Sequence, residues 1–369
     1  MKDLPSPLPV TVVVVNYNGR HFLDECLSSI KGQTHPPEKV IVVDNASTDG
    51  SVPWIEEQHP WVTIVESGEN AGYCEGNNIG IRESHTPFVV LLNNDTRVHT
   101  EWLKYLYEAL AEDDTVAACS SLVILPGETD LIHYAGSSAH FMGHIANLHY
   151  LRPLEAEIEN LEKMETGVYV GSSVILRKAA LDEVGLLEEK MFIYEDEFDM
   201  SIRLRSRGWR ILFEPRSRVW HYAGTPDLAV RSRRRYPPRR AYLVSRNRWM
   251  VLLRLYQLST LVLLFPMLVL FECAWCAAMI FSGTFLEYWK GIFWNWRERR
   301  WVAEERRRFQ QSRSIPDYKL LTADPLSPVP GMATSGLGRA VRIAGEIFLR
   351  LYWDVTKKVL TYIYTGRRT

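Results

Sequence analysis

Val10–Val15 is an unbroken apolar and β-branched run, which predicts a strand buried on both faces. Asn16-Tyr17-Asn18-Gly19 breaks it. Phe22, Leu23, Cys26, Leu27 and Ile30 then recur at helical spacing as far as Gly32. Val40–Val43 predicts a second buried strand, followed by the polar loop Asp44–Gly50, a short helix and a strand over Val62–Val65. A helix is expected over Gly72–Glu83, and a strand over Phe88–Leu92 that ends in Asn93-Asn94-Asp95. Trp102, Leu103, Leu106, Tyr107 and Leu110 mark another helix before a strand at Val116–Cys119. This alternation predicts an open α/β sheet with helices on both faces. Ligands of such sheets bind at the carboxyl ends of the strands, so the loops after Val15, Val43 and Leu92 should meet in one crevice.

The rhythm fades over residues 120–170, where Glu155, Glu157, Glu159, Glu162 and Glu165 predict a solvated, partly helical insert. Strand is expected at Val168–Val170 and Ser173–Leu176 around Gly171. A helix over Phe198–Arg207 stopped by Gly208 should follow, then short strands at Ile211–Phe213 and Arg218–His221.

Beyond that point the character changes. Residues 1–224 read as the α/β domain, 225–250 as an Arg- and Pro-rich loop or lid, 251–285 as apolar helices and 286–369 as a basic amphipathic helical region. Leu255–Phe271 is uncharged, and Cys273–Phe281 is apolar again after Glu272. Together they near the ~20 residues that cross a bilayer. Pro266 and Glu272 count against a straight span, so a re-entrant or in-plane helical hairpin is expected. In the tail, Val341, Ile343, Ile347, Phe348, Leu351, Tyr352 and Val355 lie among Arg342, Arg350, Lys357 and Lys358, a pattern that suits an interfacial helix. Packing on the protein's own core, or a homodimer through these C-terminal helices, is the competing reading.

Charge sharpens this division. Residues 1–220 carry 18 Lys and Arg against 34 Asp and Glu, whereas 221–369 carry 25 against 10. A basic half interleaved with apolar runs suits an anionic membrane surface better than nucleic acid. The five cysteines are odd in number and widely spaced, which argues against a disulfide framework and for a cytosolic compartment. Cys273-x-x-Cys276 lacks further ligands and reads as packing. Residues 1–9 have no apolar h-region, so no signal peptide is expected.

Three constellations carry chemistry. Asp44 and Asp95 each follow a buried strand, where a carboxylate can accept from a ribose or base, or bind a hard cation; either one alone is equally a common turn residue. Glu195-Asp196-Glu197-x-Asp199 crowds four acids, and their repulsion raises the pKa of at least one. An acidic helix N-terminus is the other reading. His221 ends a strand ahead of Arg231, Arg233, Arg234, Arg235, Arg239 and Arg240, a loop able to close over a diphosphate or to face lipid.

In order and spacing these motifs resemble the family 2 inverting glycosyltransferases, in their rhamnosyltransferase-like branch. The resemblance rests on Val12–Gly19, Val42–Ser51, Asn70–Tyr73 with Gly76–Gly80, Leu91–Thr96, Phe192–Asp199 with Arg203-Leu204-Arg205, Gly208-Trp209, His221–Gly224 and Arg246-Asn247-Arg248, and covers roughly residues 8–255. It implies the Rossmann-like GT-A fold over residues 1–224. It also implies a nucleotide-diphosphate sugar donor, rhamnose being the sugar this branch suggests. The acceptor that best fits the membrane reading is a lipid-linked saccharide at the cytoplasmic membrane face, with a protein or a soluble glycan as the alternatives. Asn16, Asp44, Asn77, Asn78, Asn94 and Asp95 would bind the nucleotide. Asp95 and His221 would hold Mg²⁺ or Mn²⁺, and Arg231 and Arg235 would close on the diphosphate. Asp196 would be the general base, with Glu195 and Trp209 on the acceptor side. Asn93 stands where the family's Asp-x-Asp has its first acid, so Asp95 alone is anionic there. A sugar-phosphate nucleotidyltransferase, or a catalytically dead membrane-bound scaffold, is the alternative.

Overall fold

The computed structural model describes residues 4–222, 236–327 and 336–366. It divides into two compact units. One comprises the described residues up to 137 with 148–204 and 209–222; the other comprises 138–147, 205–208 and the described residues from 236 onward.

The first unit is built on β1 (Leu8–Asn16), β2 (Pro37–Asp44), β3 (Thr63–Glu66), β4 (Phe88–Asn93), β5 (Thr96–Val98), β6 (Val116–Leu125), β7 (Leu131–Tyr134), β10 (Met164–Glu165), β11 (Ser173–Arg177) and β12 (Arg210–His221). Its helices are α1 (Arg20–Lys31), α2 (Ser51–Gln58), α3 (Gly72–Arg82), α4 (Trp102–Ala111), α5 (Leu154–Glu157), α6 (Lys178–Val184) and α7 (Asp196–Ser206). The sheet order is β10-β12-β6-β11-β4-β1-β2-β3, with β5 on β12 and β7 on β6. β1 pairs in parallel with β2 on one side and β4 on the other, which makes the β1/β4 boundary the point where the winding reverses. The valines of β1 are buried because helices cover both faces: on one, Leu23, Leu27 and Ile30 of α1 and Leu103, Leu106 and Leu110 of α4 pack in one core with Val10, Val12 and Val14; on the other, Gly76 and Gly80 let α3 lie against Val15 and Val13.

β5 and β7 have no counterpart in the sequence reading, and two expected elements take another form. Val168–Val170 forms no strand, because side chains satisfy its backbone instead: Ser201 Oγ accepts from Tyr169 N–H at 3.2 Å and Ser120 Oγ from Val170 N–H at 3.0 Å. The two short strands expected before His221 are one twelve-residue strand, β12, whose register shifts between Glu214 and Arg218. Pro215 lies in that interval and lacks a ladder donor, which a bulge accommodates.

The second unit holds the hairpin β8 (Ser137–His140) and β9 (His144–Asn147), with α8 (Pro238–Leu255), α9 (Leu258–Ser282), α10 (Phe285–Arg297), α11 (Arg299–Ser312), α12 (Asp317–Leu320) and α13 (Gly336–Thr365). The expected loop over 225–250 is therefore corrected from residue 238 on, where Pro238 opens a helix at a position that needs no N–H; residues 223–235 lie outside the described residues. The expected hairpin within the apolar stretch is also corrected. α9 runs unbroken through Pro266 and Glu272, and Glu272 is partnered by Arg248 and the Tyr288 hydroxyl. Among the described residues this is the one helix long and apolar enough to cross a membrane. Cys273 is exposed rather than packed, and all five cysteines are free.

Candidate active site

The strand register lines up three polar residues at one sheet edge: Asn16 opposite Asp44, and Val15 opposite Asn93. Asn16 is fully buried there. Its Nδ2 donates to Asp44 Oδ1 at 3.0 Å and to Ser47 Oγ at 3.1 Å, while its Oδ1 accepts from Asn94 Nδ2 at 2.9 Å. Asp44 Oδ2 accepts the Ser47 N–H at 2.8 Å. Gly19 closes this network. A Cβ there would lie 2.1 Å from Asn94 Nδ2 and 2.8 Å from Asn16 Oδ1, so a larger residue would push the two hydrogen-bonded amides aside. Asn16, Asp44 and Asn94 thus form one connected polar group.

Asn77 and Asn78 do other work. Asn77 Nδ2 bonds back to Tyr73 O at 2.8 Å within α3. Asn78 clamps the backbone of Leu187, donating to its carbonyl at 2.8 Å and accepting its N–H at 3.0 Å. The Asn78 amide is used at both ends to hold α3 to the segment leading to residue 196, which argues against the nucleotide-lining role expected of it, whereas Asn77 is engaged through Nδ2 alone.

Asp95 lies past the end of β4 and faces the end of β12. His221 Nε2 stands 3.1 Å from Asp95 Oδ1 and 3.3 Å from Asn93 Nδ2. The other ring nitrogen, Nδ1, lies 3.4 Å from His133 Nδ1, with the two rings stacked at 5.4 Å. A carboxylate oxygen and an imidazole nitrogen turned toward each other, both largely buried, suit the donor preferences of Mn²⁺ or Mg²⁺ when phosphate oxygens complete the shell. His133 is a site residue that sequence reasoning missed; nothing in its spacing sets it apart.

The third group is built by strain. Phe192 has φ 64° and ψ −58°, and Ile193 N–H reaches Met191 O at 2.7 Å, so residues 191–193 make a γ-turn of the disfavoured hand. Tyr194 and Glu195 follow at φ 76° and 61°. Three positive-φ residues in four positions cost energy, and surrounding contacts must hold them. The N-terminus of α3 supplies such contacts: Tyr73 and Cys74 N–H both donate to the Phe192 carbonyl, at 2.7 and 3.1 Å. This turn delivers Asp196, 3% exposed, to the first position of α7.

Burial pushes the Asp196 carboxyl well above its ordinary value of 3.8, and the charges of Glu197, Glu195 and Asp199 push the same way. Its Oδ2 has no hydrogen-bond partner among the described residues. The group is tied to the Asp95 edge by two hydrogen bonds: Gly171 N–H donates to the Glu197 carboxylate Oε1 at 3.3 Å, and the carbonyl of the next residue, Ser172, accepts from Asn93 N–H at 3.1 Å. The two acidic loops thus belong to one end of the sheet.

Trp209 does not join them. It precedes Arg210, which pairs with Val116 at the start of β6, the edge opposite His221, and its indole donates to Glu183 at 2.8 Å. Its expected acceptor role is corrected by that register. Arg231 and Arg235 lie outside the described residues.

Residues 11–185 match the model of glycosyl transferase family 2. Among relatives, an N-acetylglucosaminyl-diphospho-decaprenol L-rhamnosyltransferase of Mycobacterium tuberculosis is 25% identical over 232 residues, 57% of this chain and 75% of that protein. The low-salt glycan biosynthesis hexosyltransferase Agl10 of Haloferax volcanii is 26% identical over 200 residues, 53% of this chain and 61% of that protein. The solved structure of GalNAc-T7 with UDP, GalNAc and Mn²⁺ superposes with a TM-score of 0.53 at 17% identity; it covers 68% of this chain, which spans about half (48%) of that one. The shared fold is the GT-A nucleotide-sugar transferase fold, residues 11–185 are a family 2 glycosyl transferase domain, and the protein is a glycosyltransferase.

Proposed function

We propose that this enzyme moves a sugar, rhamnose on the strength of its relatives, from a nucleotide-diphosphate donor to a lipid-linked saccharide at the cytoplasmic face of a membrane, with inversion at the anomeric carbon. The observation that carries the reading is Asp196: a buried carboxyl whose Oδ2 has no hydrogen-bond partner among the described residues, tied through Gly171 and Ser172 to the strand end that presents Asp95.

The connected group of Asn16, Asp44 and Asn94 would take the nucleoside, with Asp44 accepting from ribose or base. Asp196 Oδ2 takes the proton of the acceptor hydroxyl as its oxygen bonds to the anomeric carbon. The bond to the β-phosphate breaks on the far face, and its electron pair leaves with the nucleoside diphosphate. A single displacement inverts the centre. A divalent cation held by Asp95 and His221 would neutralise charge on the diphosphate when bound. Glu195, beside the base, would face the acceptor. The names of the relatives favour a polyprenyl-diphosphate-linked acceptor.

The test is a panel of nucleotide sugars with Mn²⁺ and a polyprenyl-diphosphate-linked N-acetylglucosamine, scored by nucleoside diphosphate release and product mass. A disaccharide of inverted configuration is expected. Pyrophosphate release from a nucleoside triphosphate and a sugar phosphate, with no sugar transfer, would overturn the reading.

A further inference from the structure

Helix α10 turns an aromatic face outward that its own packing fixes in place. Its inner face is set by Gly291, where a Cβ would stand 2.1 Å from Ser245 Oγ and 2.4 Å from the Tyr242 carbonyl, so α10 lies against the backbone of α8. Asn295 reinforces this, its Nδ2 donating to Arg246 O at 2.9 Å, and Tyr288 is buried on the same side. No other residue type permits so close a crossing, so the helix cannot rotate to hide its other face.

That other face carries Leu286, Trp289, Phe293 and Trp296, spaced at three and four residues and 67, 44, 54 and 60% exposed. Four large apolar side chains along three turns exceed what scattered surface hydrophobics explain. Two of them are tryptophans, whose rings combine apolar area with a polar N–H and favour the boundary between headgroups and acyl chains. The face is flanked by exposed Lys290, Arg297, Arg299 and Arg300, and the Arg299 guanidinium sits 4.8 Å from the centre of the Trp296 ring. Long basic side chains beside such rings reach from the apolar layer to phosphates. The surplus of 25 basic over 10 acidic residues after position 220 complements an anionic surface.

We infer that α10 lies in the plane of an anionic bilayer, its Leu286–Trp296 face sunk to the headgroup–acyl boundary and its basic residues on lipid phosphates. This rests on the membrane part of the reading above and adds the element, the depth and the lipid charge.

The full-length chain, transferred from detergent to phosphatidylcholine vesicles with and without phosphatidylglycerol, gives the test. Lipids brominated near the glycerol should quench the fluorescence component that is lost in Trp289→Phe and Trp296→Phe, and lipids brominated near the chain ends should quench it several-fold less. Lys290→Glu/Arg297→Glu/Arg300→Glu should lower flotation with the anionic vesicles about tenfold or more and leave it unchanged with the neutral ones. Equal or deeper quenching by chain-end bromines would overturn the in-plane placement. Unaffected flotation of the charge variant, or loss of a dimer in Trp289→Ser/Phe293→Ser without loss of vesicle binding, would assign the face to another partner. Sugar transfer in detergent micelles, measured on the same preparations, separates this result from the enzymatic reading: active enzyme without shallow quenching defeats the inference alone.

Discussion

His221 touches Asp95 through Nε2 and His133 through Nδ1, 3.1 and 3.4 Å away. An Nδ1–Nδ1 contact between imidazoles needs a proton on one side and a lone pair on the other, so the two tautomers are coupled. For Nε2 of His221 to offer a lone pair to a cation, its Nδ1 must keep the proton and His133 must accept it. Partners that orient a ligating histidine typically matter 10–100-fold in metal affinity. His133→Ala is therefore expected to weaken Mn²⁺ binding by about that factor, measured by calorimetry with a nucleoside diphosphate present. His133→Asn, which can still accept, should recover part of it. Identical Mn²⁺ affinity in all three proteins would show that the ring contact has no orienting role.

Asp196 makes a prediction about stability. Its folded pKa lies above the unfolded value of 3.8, so between the two the folded state binds more protons than the unfolded one. Stability from this group is full below the unfolded value and declines as pH rises toward the folded one. Asp196→Asn removes the decline. The variant should melt higher than wild type at neutral pH, match it near pH 4, and lose turnover by several orders of magnitude while nucleotide affinity holds. A variant melting lower at neutral pH would mean that the carboxylate is compensated by contacts beyond those described.

Gly72 tests whether the strained turn positions the base. Its φ is +79°, and a Cβ would lie 2.5 Å from Phe192 Cδ2 and 2.7 Å from the Phe192 carbonyl. Gly72→Ala should cost about 1–3 kcal/mol from backbone strain of this kind, and it should lower kcat more than nucleotide affinity. Gly208→Ala, at φ +97° with nothing within 4 Å, separates the two effects. It should melt lower with kcat unchanged, and a comparable loss of kcat there would reduce the Gly72 effect to general destabilisation.

Apart from the three-residue β5, the order of strands and helices as far as β6 was legible because each buried strand announces itself as a β-branched run and each helix as a 3.6-residue stripe. Asn16, Asp44 and Asn94 could be expected to meet because parallel strands put their carboxyl ends together. His133 could not: β7 folds back on β6 as a local hairpin, but its partner His221 comes from β12, 88 residues on, through a parallel pairing with β6 that has no local signature. Asn78 misled for the opposite reason. An asparagine in an α3 motif looks like a ligand-binding amide, and only the position of Leu187, 109 residues on, shows that both ends of the amide are already used. The failed strand at Val168–Val170 has the same origin, since the serines that satisfy its backbone lie 50 and 32 residues away.

Glu272 is the charge that made a continuous α9 look doubtful, and its partner explains why the helix tolerates it. The Arg248 side chain is 2% exposed, donates from Nε to Met142 O at 2.9 Å, and lies 4.6 Å from the Phe271 ring centre. Glu272 is the carboxylate paired with it, and Tyr288 donates to the same group. Removing only one partner leaves an uncompensated buried charge, which typically costs about 3–5 kcal/mol, whereas replacing both with apolar residues is often close to neutral. Glu272→Leu should therefore lower the melting temperature sharply in detergent, and Arg248→Met/Glu272→Leu should restore most of the loss. If the double variant melts as low as the single one, the pair specifies the packing of α9 against α8 rather than cancelling its own desolvation, and the helix depends on that charge.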